Sequence, residues 1–187
     1  DTALQDAMRT KGSSLRHDPV SMSRARRAFA EHPVAALFAT GFGSGLSPIA
    51  PGTAGSLVGL LIAWLLASHV PILGSWLGLL MSGLALGLLG VAVSAPVCRA
   101  RESEDPGCIV IDEIAGQMWA AAGAVLVPGA PVWAWVAAFV LFRFFDVVKP
   151  LGIARLQRLP GGWGVVADDL GGGLAAGLLL ALAGRWI

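Results

Sequence analysis

PVAALFATGFGSGLSPIAPGTAGSLVGLLIAWLLASHVPILGSWLGLLMSGLALGLLGVAVSAPVC, residues 33–98, runs without a single Asp, Glu, Lys or Arg. A helix needs about 20 predominantly apolar residues to cross a bilayer, and the run is long enough for crossings on both sides of Pro71. Beyond it the apolar character continues, but charges are set into it: Asp112-Glu113, Arg143, Asp146, Lys149 and Asp168-Asp169. A charge within hydrocarbon costs at least a few kcal/mol, so it is there because it binds or pairs with something. The stretch therefore predicts a membrane protein, and the later charges are its candidate site.

Composition agrees. Of 187 residues, 56% are hydrophobic and 13% charged, and the mean hydropathy is +0.73. The 25 glycines and the absence of Tyr suit closely packed membrane helices better than a soluble core. A net charge of +1 says little, and no nucleic-acid partner is expected. Cys98 and Cys108 have neither metal-site spacing nor a disulfide-framework pattern, so they read as free thiols at a reducing face.

The fold class expected is all-α: a polytopic membrane helix bundle of about five transmembrane helices. The spans are placed at 54–70, 74–97, 109–127, 132–148 and 165–187, with Pro71, Pro106, Pro128, Pro131, Pro150 and Pro160 where turns are needed. Residues 34–53 are apolar too, but GFGSGLSPIAPGT carries four glycines and two prolines. That composition predicts a short helix leading into a re-entrant or loop element, tolerated at depth only against protein or water. Residues 1–32, with Arg9, Lys11, Arg16, Arg24, Arg26 and Arg27, read as a polar, basic cytoplasmic arm, flexible at first and helical near Ser23–Glu31. Residues 33–187 then form the membrane-embedded catalytic domain.

Basic residues fix the orientation. Arg99 and Arg101 lie in the 98–108 connection, and Lys149, Arg155 and Arg158 in 149–164, whereas 69–75 and 128–131 have none. Excess Lys and Arg mark cytoplasmic loops, so the N-terminus is predicted inside, with Arg185 a mild dissent. On this topology Asp112-Glu113, Arg143–Lys149, Asp168-Asp169 and the Gly/Pro element all converge on one interfacial layer.

Four paired carboxylates joined by Asp146 would repel or take up protons unless neutralised. A divalent cation relieves this, and oxygen-only ligands point to Mg²⁺ or Mn²⁺ rather than zinc. The competing reading is a structural network in which the acids pair with Arg143, Lys149 and loop arginines. Arg143, Asp146 and Lys149 are spaced i, i+3, i+6 and are expected on one helix face. Two cations beside acidic metal ligands suit a phosphate. The run 41–56 sets glycines around Ser44, Ser47 and Thr53 ahead of a helix, which reads either as an anion cradle or simply as a Gly/Pro break. It lacks the Lys of a nucleotide-binding P-loop. No Cys-x5-Arg loop exists, and no His lies near the cluster: His17 and His32 are in the arm, and His69 is predicted on the far side.

GFGSGLSPIAPGTAGS, IVIDEIAGQ, FRFFDVVKP and GGWGVVADDLGGG, in that order from about Gly41 to Gly177, resemble phosphatidylglycerophosphatase A. The resemblance implies a bacterial inner-membrane, Mg²⁺-dependent lipid phosphatase that converts phosphatidylglycerophosphate to phosphatidylglycerol. It implicates Asp112, Glu113, Arg143, Asp146, Lys149, Asp168 and Asp169, with Ser44 and Thr53 from the first motif; Asp105 also falls where the family has an acid. The mechanism expected is metal-assisted attack of water. Asp112, Glu113 and Asp169 (with Asp168 as a further candidate) would hold metal, and Arg143, Lys149, Ser44 and Thr53 would bind the phosphate. Asp168 or Asp146 would be the base, and an aspartyl-phosphate route stays open. A transporter would set its acids nearer the midplane, and an assembly subunit would use them only as salt bridges. Oligomeric state, metal number and headgroup selectivity are left open.

Overall fold

Proline and glycine set the helix limits. Pro33 opens α1 (Pro33–Ala39), Pro51 opens α2 (Pro51–His69) and Pro71 opens α3 (Pro71–Gly74). Proline suits these places because the first turn leaves its N–H groups unpaired in any case. Then follow α4 (Trp76–Arg101), α5 (Ile111–Val125), α6 (Val132–Val148) and α7 (Gly162–Ala183), with 3₁₀ turns at Ser44–Leu46 and Ile153–Arg158. This is a computed structural model that describes residues 29–101, 107–150, 152–160 and 162–186, and among them there is no strand. All six bases of the expected arm, and Asp105, lie outside the described residues.

Three helices, α2, α4 and α7, are long and apolar enough to cross a membrane. With 15 and 17 residues, α5 and α6 are about 22 and 26 Å long at 1.5 Å per residue, short of a hydrocarbon core of about 30 Å. Among the described residues, three of the five expected spans are thus long enough. The expected 132–148 coincides with α6, and 109–127 is shortened to α5 at both ends: residues 109–110 precede its first turn and 126–127 follow its last.

The five longer helices differ sharply in what covers them. Helix α5 is the hub, touched by α2, α4, α6 and α7, with 12 of its 15 residues buried. Ala and Gly supply most of that surface, which lets four neighbours approach closely. On the outer helices, Leu57, Leu61 and Trp64 of α2 and Leu174, Leu178 and Leu182 of α7 stay exposed at helical spacing. Such apolar outward stripes suit lipid rather than water.

The closest seam is between α5 and α7. A Cβ on Gly173 would run into the Gly116 carbonyl oxygen, and one on Gly116 would lie 2.5 Å from the Asp169 carbonyl oxygen and 2.7 Å from Phe142 Cε2. Neither backbone can yield without moving a helix. Gly116→Ala is therefore expected to cost about 1–3 kcal/mol as overpacking, read as a lower thermal midpoint in detergent. The seam runs beside the acids, so activity should fall with it.

The Gly/Pro element is a short helix followed by a loop, and α2 begins three residues earlier than expected. Gly41, Phe42 and Gly43 turn the chain with φ of 53°, 56° and 95°. The loop packs on the segment entering α5: Val110 N–H donates to the Ala39 carbonyl at 2.8 Å, and a Cβ on Gly45 would strike the Cys108 carbonyl. Close packing thus explains Gly41 and Gly45, the left-handed backbone explains Gly43, and the element anchors the start of α5.

Candidate active site

Helix α5 carries Asp112 and Glu113 in its first turn, where unpaired N–H groups favour anions. Asp112 Oδ1 accepts from the Glu113 N–H at 3.1 Å. Helix α7 carries Asp168 and Asp169 about 10 Å from its start. Because Gly116 lets α7 approach at the Asp169 carbonyl, the two acidic pairs meet. One carboxylate oxygen from each of Asp112, Glu113 and Asp169 lies within 4.8 Å of the others. Asp112 is 6% and Asp169 4% exposed, so water does little to screen them.

Helix α6 brings the bases. Arg143 Nη1 lies 2.5 Å from Asp146 Oδ2 and donates to Ser56 Oγ at 3.2 Å. Lys149 ends α6 in the left-handed region, with φ 48°, a conformation costing a non-glycine residue about 1–2 kcal/mol. Its ammonium crosses to α7 and pairs with Asp168 Oδ2. Burial weakens that ammonium, but Asp168, with Asp169 and Asp146 beyond it, outweighs this and holds its pKa above the ordinary lysine value.

This arrangement divides the five acids. The two ion pairs among the described residues occupy Asp146 and Asp168. Asp112, Glu113 and Asp169 have no ion-pair partner there, and they are the three that converge. Asp146 is near enough to Asp169 to add to the local negative charge. Among the described residues, a network of salt bridges accounts for the first two acids and not for the other three.

Charge arithmetic shows what the three require. Two carboxylates about 5 Å apart repel by about 3 kcal/mol at an effective dielectric of 20, and the triad has three such pairs. That sum is comparable with the whole stability of a domain, about 5–15 kcal/mol. Glu113 Oε2 is moreover buried with no hydrogen-bond partner. An oxygen-only donor set in this state fits a hard divalent cation. His69, exposed at the opposite end of α2, takes no part.

Ser44 and Thr53 are not hydrogen-bonded to the charges among the described residues. Ser44 Oγ donates to the Gly41 carbonyl at 2.9 Å, within its own loop. Thr53 lies in the first turn of α2, and no hydrogen bond links either side chain to the cluster among the described residues. The α2 residues that do meet it are Gly52, where a Cβ would strike Glu113 Oε1, and Ser56, which accepts from Arg143. Sequence reading missed Ser56 as a site residue. The available signal was its position four residues after Gly52, on the same face of one helix.

The profile of the family described as phosphatidylglycerophosphatase A matches residues 37–184. The chain belongs to the phosphatidylglycerophosphatase A family. A phosphatidylglycerophosphatase A of Escherichia coli strain K12 is 36% identical over 180 residues, covering 91% of this chain and 94% of the relative. One from Haemophilus influenzae is 36% identical over 153 residues, covering 81% and 89%. A Bacteroides thetaiotaomicron protein named as a candidate phosphatidylinositol-3-phosphatase is 41% identical over 156 residues, covering 81% and 93%. No solved structure gives a significant match. The family match spans every residue of the acidic triad and both ion pairs.

Proposed function

We propose that this chain hydrolyses phosphatidylglycerophosphate to phosphatidylglycerol and inorganic phosphate in phospholipid synthesis, at the cytoplasmic face of a bacterial inner membrane. The observation that carries the chemistry is the division of charge: two acids held by Arg143 and Lys149, and three left together within 4.8 Å. Asp112, Glu113 and Asp169 would hold Mg²⁺, with Mn²⁺ as a substitute. When bound, such an ion polarises phosphoryl oxygens and acidifies water.

The chain's own residues do the rest. Arg143 commits Nη1 to Asp146 and Ser56, leaving other guanidinium N–H groups to grip two phosphate oxygens. Lys149, kept charged by Asp168, offsets the third oxygen's charge as a point cation. Water attacks phosphorus, a P–O bond forms, and the bond to the glycerol oxygen breaks. Asp146 or Asp168 takes the water's proton and passes it to the leaving glycerol oxygen, which departs as the alcohol. The acids gather at the helix ends that carry cytoplasmic-type basic loops, which supports the inward orientation. An ester tethered by acyl chains would present its phosphate at that layer.

The Bacteroides relative favours a second substrate, an inositol lipid phosphorylated at position 3. Both are phosphomonoesters on a lipid headgroup, and the charged cluster reads only the phosphate. Purified protein should release phosphate from phosphatidylglycerophosphate with kcat/KM at least about tenfold above that for phosphatidylinositol 3-phosphate, the scale of pocket discrimination by shape. The reverse preference would replace the first reading with the second.

A further inference from the structure

Gln117 lies on α5 with 0% exposure, and both Oε1 and Nε2 lack a hydrogen-bond partner. An unpaired buried amide costs about 1–3 kcal/mol per group, and proteins resolve such orphans with ordered water or a ligand. Its position says what it serves. Gln117 follows Glu113 by four residues, so it shares that face one turn deeper, about 5.4 Å along the axis. Glu113 Oε2, the neighbouring acceptor, is buried and unpartnered as well.

Both side chains face the small-residue stripe of α2. Gly52 abuts Glu113 Oε1, a Cβ on Gly59 would lie 3.1 Å from Gln117 Cβ, and Ser56 stands between them, bound to Arg143. The α2–α5 seam therefore holds a polar strip whose inner end, Ser56 and Gln117, is fully buried. Complete burial bars a lipid headgroup from Gln117 and leaves water as the occupant. An amide can donate from Nε2 to that water, which can in turn donate to Glu113 Oε2.

We infer that Gln117 is a positioning residue: through buried water it fixes the Glu113 carboxylate in the orientation that completes the triad with Asp112 and Asp169. The inference rests on the metal-holding reading of that triad. Outer partners of metal ligands are typically worth about 10–100-fold in affinity or activity.

The test is Gln117→Met in the full chain in lipid nanodiscs, with Mn²⁺ affinity read by electron paramagnetic resonance beside kcat, KM and thermal midpoint. Methionine matches glutamine in size and removes the orphaned amide. The thermal midpoint should stay level or rise, Mn²⁺ should bind about 10–100-fold more weakly, and kcat should fall with little change in KM. Wild-type Mn²⁺ affinity and kcat in folded Gln117→Met would overturn the inference. Should that variant not fold, Gln117→Leu, which also lacks the amide donor, takes its place, and wild-type Mn²⁺ affinity and kcat in that folded variant would overturn the inference. Because Mn²⁺ binding is read without turnover, wild-type protein that binds Mn²⁺ yet releases no phosphate sinks the proposed reaction alone.

Discussion

Asp169→Asn is expected to lower metal-supported phosphate release by more than about a hundredfold while leaving the protein as stable as before, or more so. The loss exceeds the 10–100-fold typical of outer partners because a direct ligand is removed. Stability should move the other way. Asp169 has no ion-pair partner among the described residues, and it adds charge to a site already holding Asp112 and Glu113. Asparagine keeps the shape and removes repulsion of about 3 kcal/mol per pair at an effective dielectric of 20. A salt-bridge network predicts the opposite pattern, with the thermal midpoint falling. Phosphate release and thermal unfolding on one preparation separate the two.

Arg143→Lys should reduce kcat/KM by about a hundredfold, the scale of losing one preorganised donor to a developing oxyanion. Lysine keeps the charge, so a purely electrostatic role would tolerate it. The Arg143 guanidinium does more: one nitrogen serves both Asp146 and Ser56, tying α6 to α2 while its other donors remain for phosphate. An ammonium is a compact point charge without that planar fork. Mn²⁺ affinity should hardly change, since Arg143 touches none of Asp112, Glu113 or Asp169 as an ion-pair partner. A joint fall in metal affinity would mean that Arg143 organises the triad rather than the phosphate.

Much of this was legible in the chain. The charge-free run from Pro33 to Cys98 specified long apolar helices, and the isolated acids marked a candidate site, three of whose members converge. Spacing alone could not show that Asp169, far along the chain, would meet Asp112 and Glu113. That meeting depends on Gly116 and Gly173 letting two backbones touch, and glycine pairs mark close packing without naming a partner. The partner of Lys149 was illegible for a different reason. Helical periodicity put it near Arg143 and Asp146, but its ion-pair partner is Asp168 on α7, which no local spacing names. Ser44 and Thr53 drew attention because glycine-rich runs with hydroxyls can cradle anions, whereas here Gly45 and Gly55 fit against Cys108 and Val110. Helix ends were uneven: α6 coincides with the expected 132–148, whereas 109–127 is shortened by two residues at each end to α5, which is enclosed by its neighbours.

The account rests on one claim, that Asp112, Glu113 and Asp169 hold a divalent cation on which phosphate release depends. The most direct measurement is phosphate release from phosphatidylglycerophosphate by the detergent-solubilised chain, with Mg²⁺, with EDTA, and with Mg²⁺ restored, beside Asp169→Asn. The account predicts release that stops in EDTA, returns with Mg²⁺, and is absent at every Mg²⁺ concentration in the variant. Release that persists in EDTA and in Asp169→Asn would contradict it.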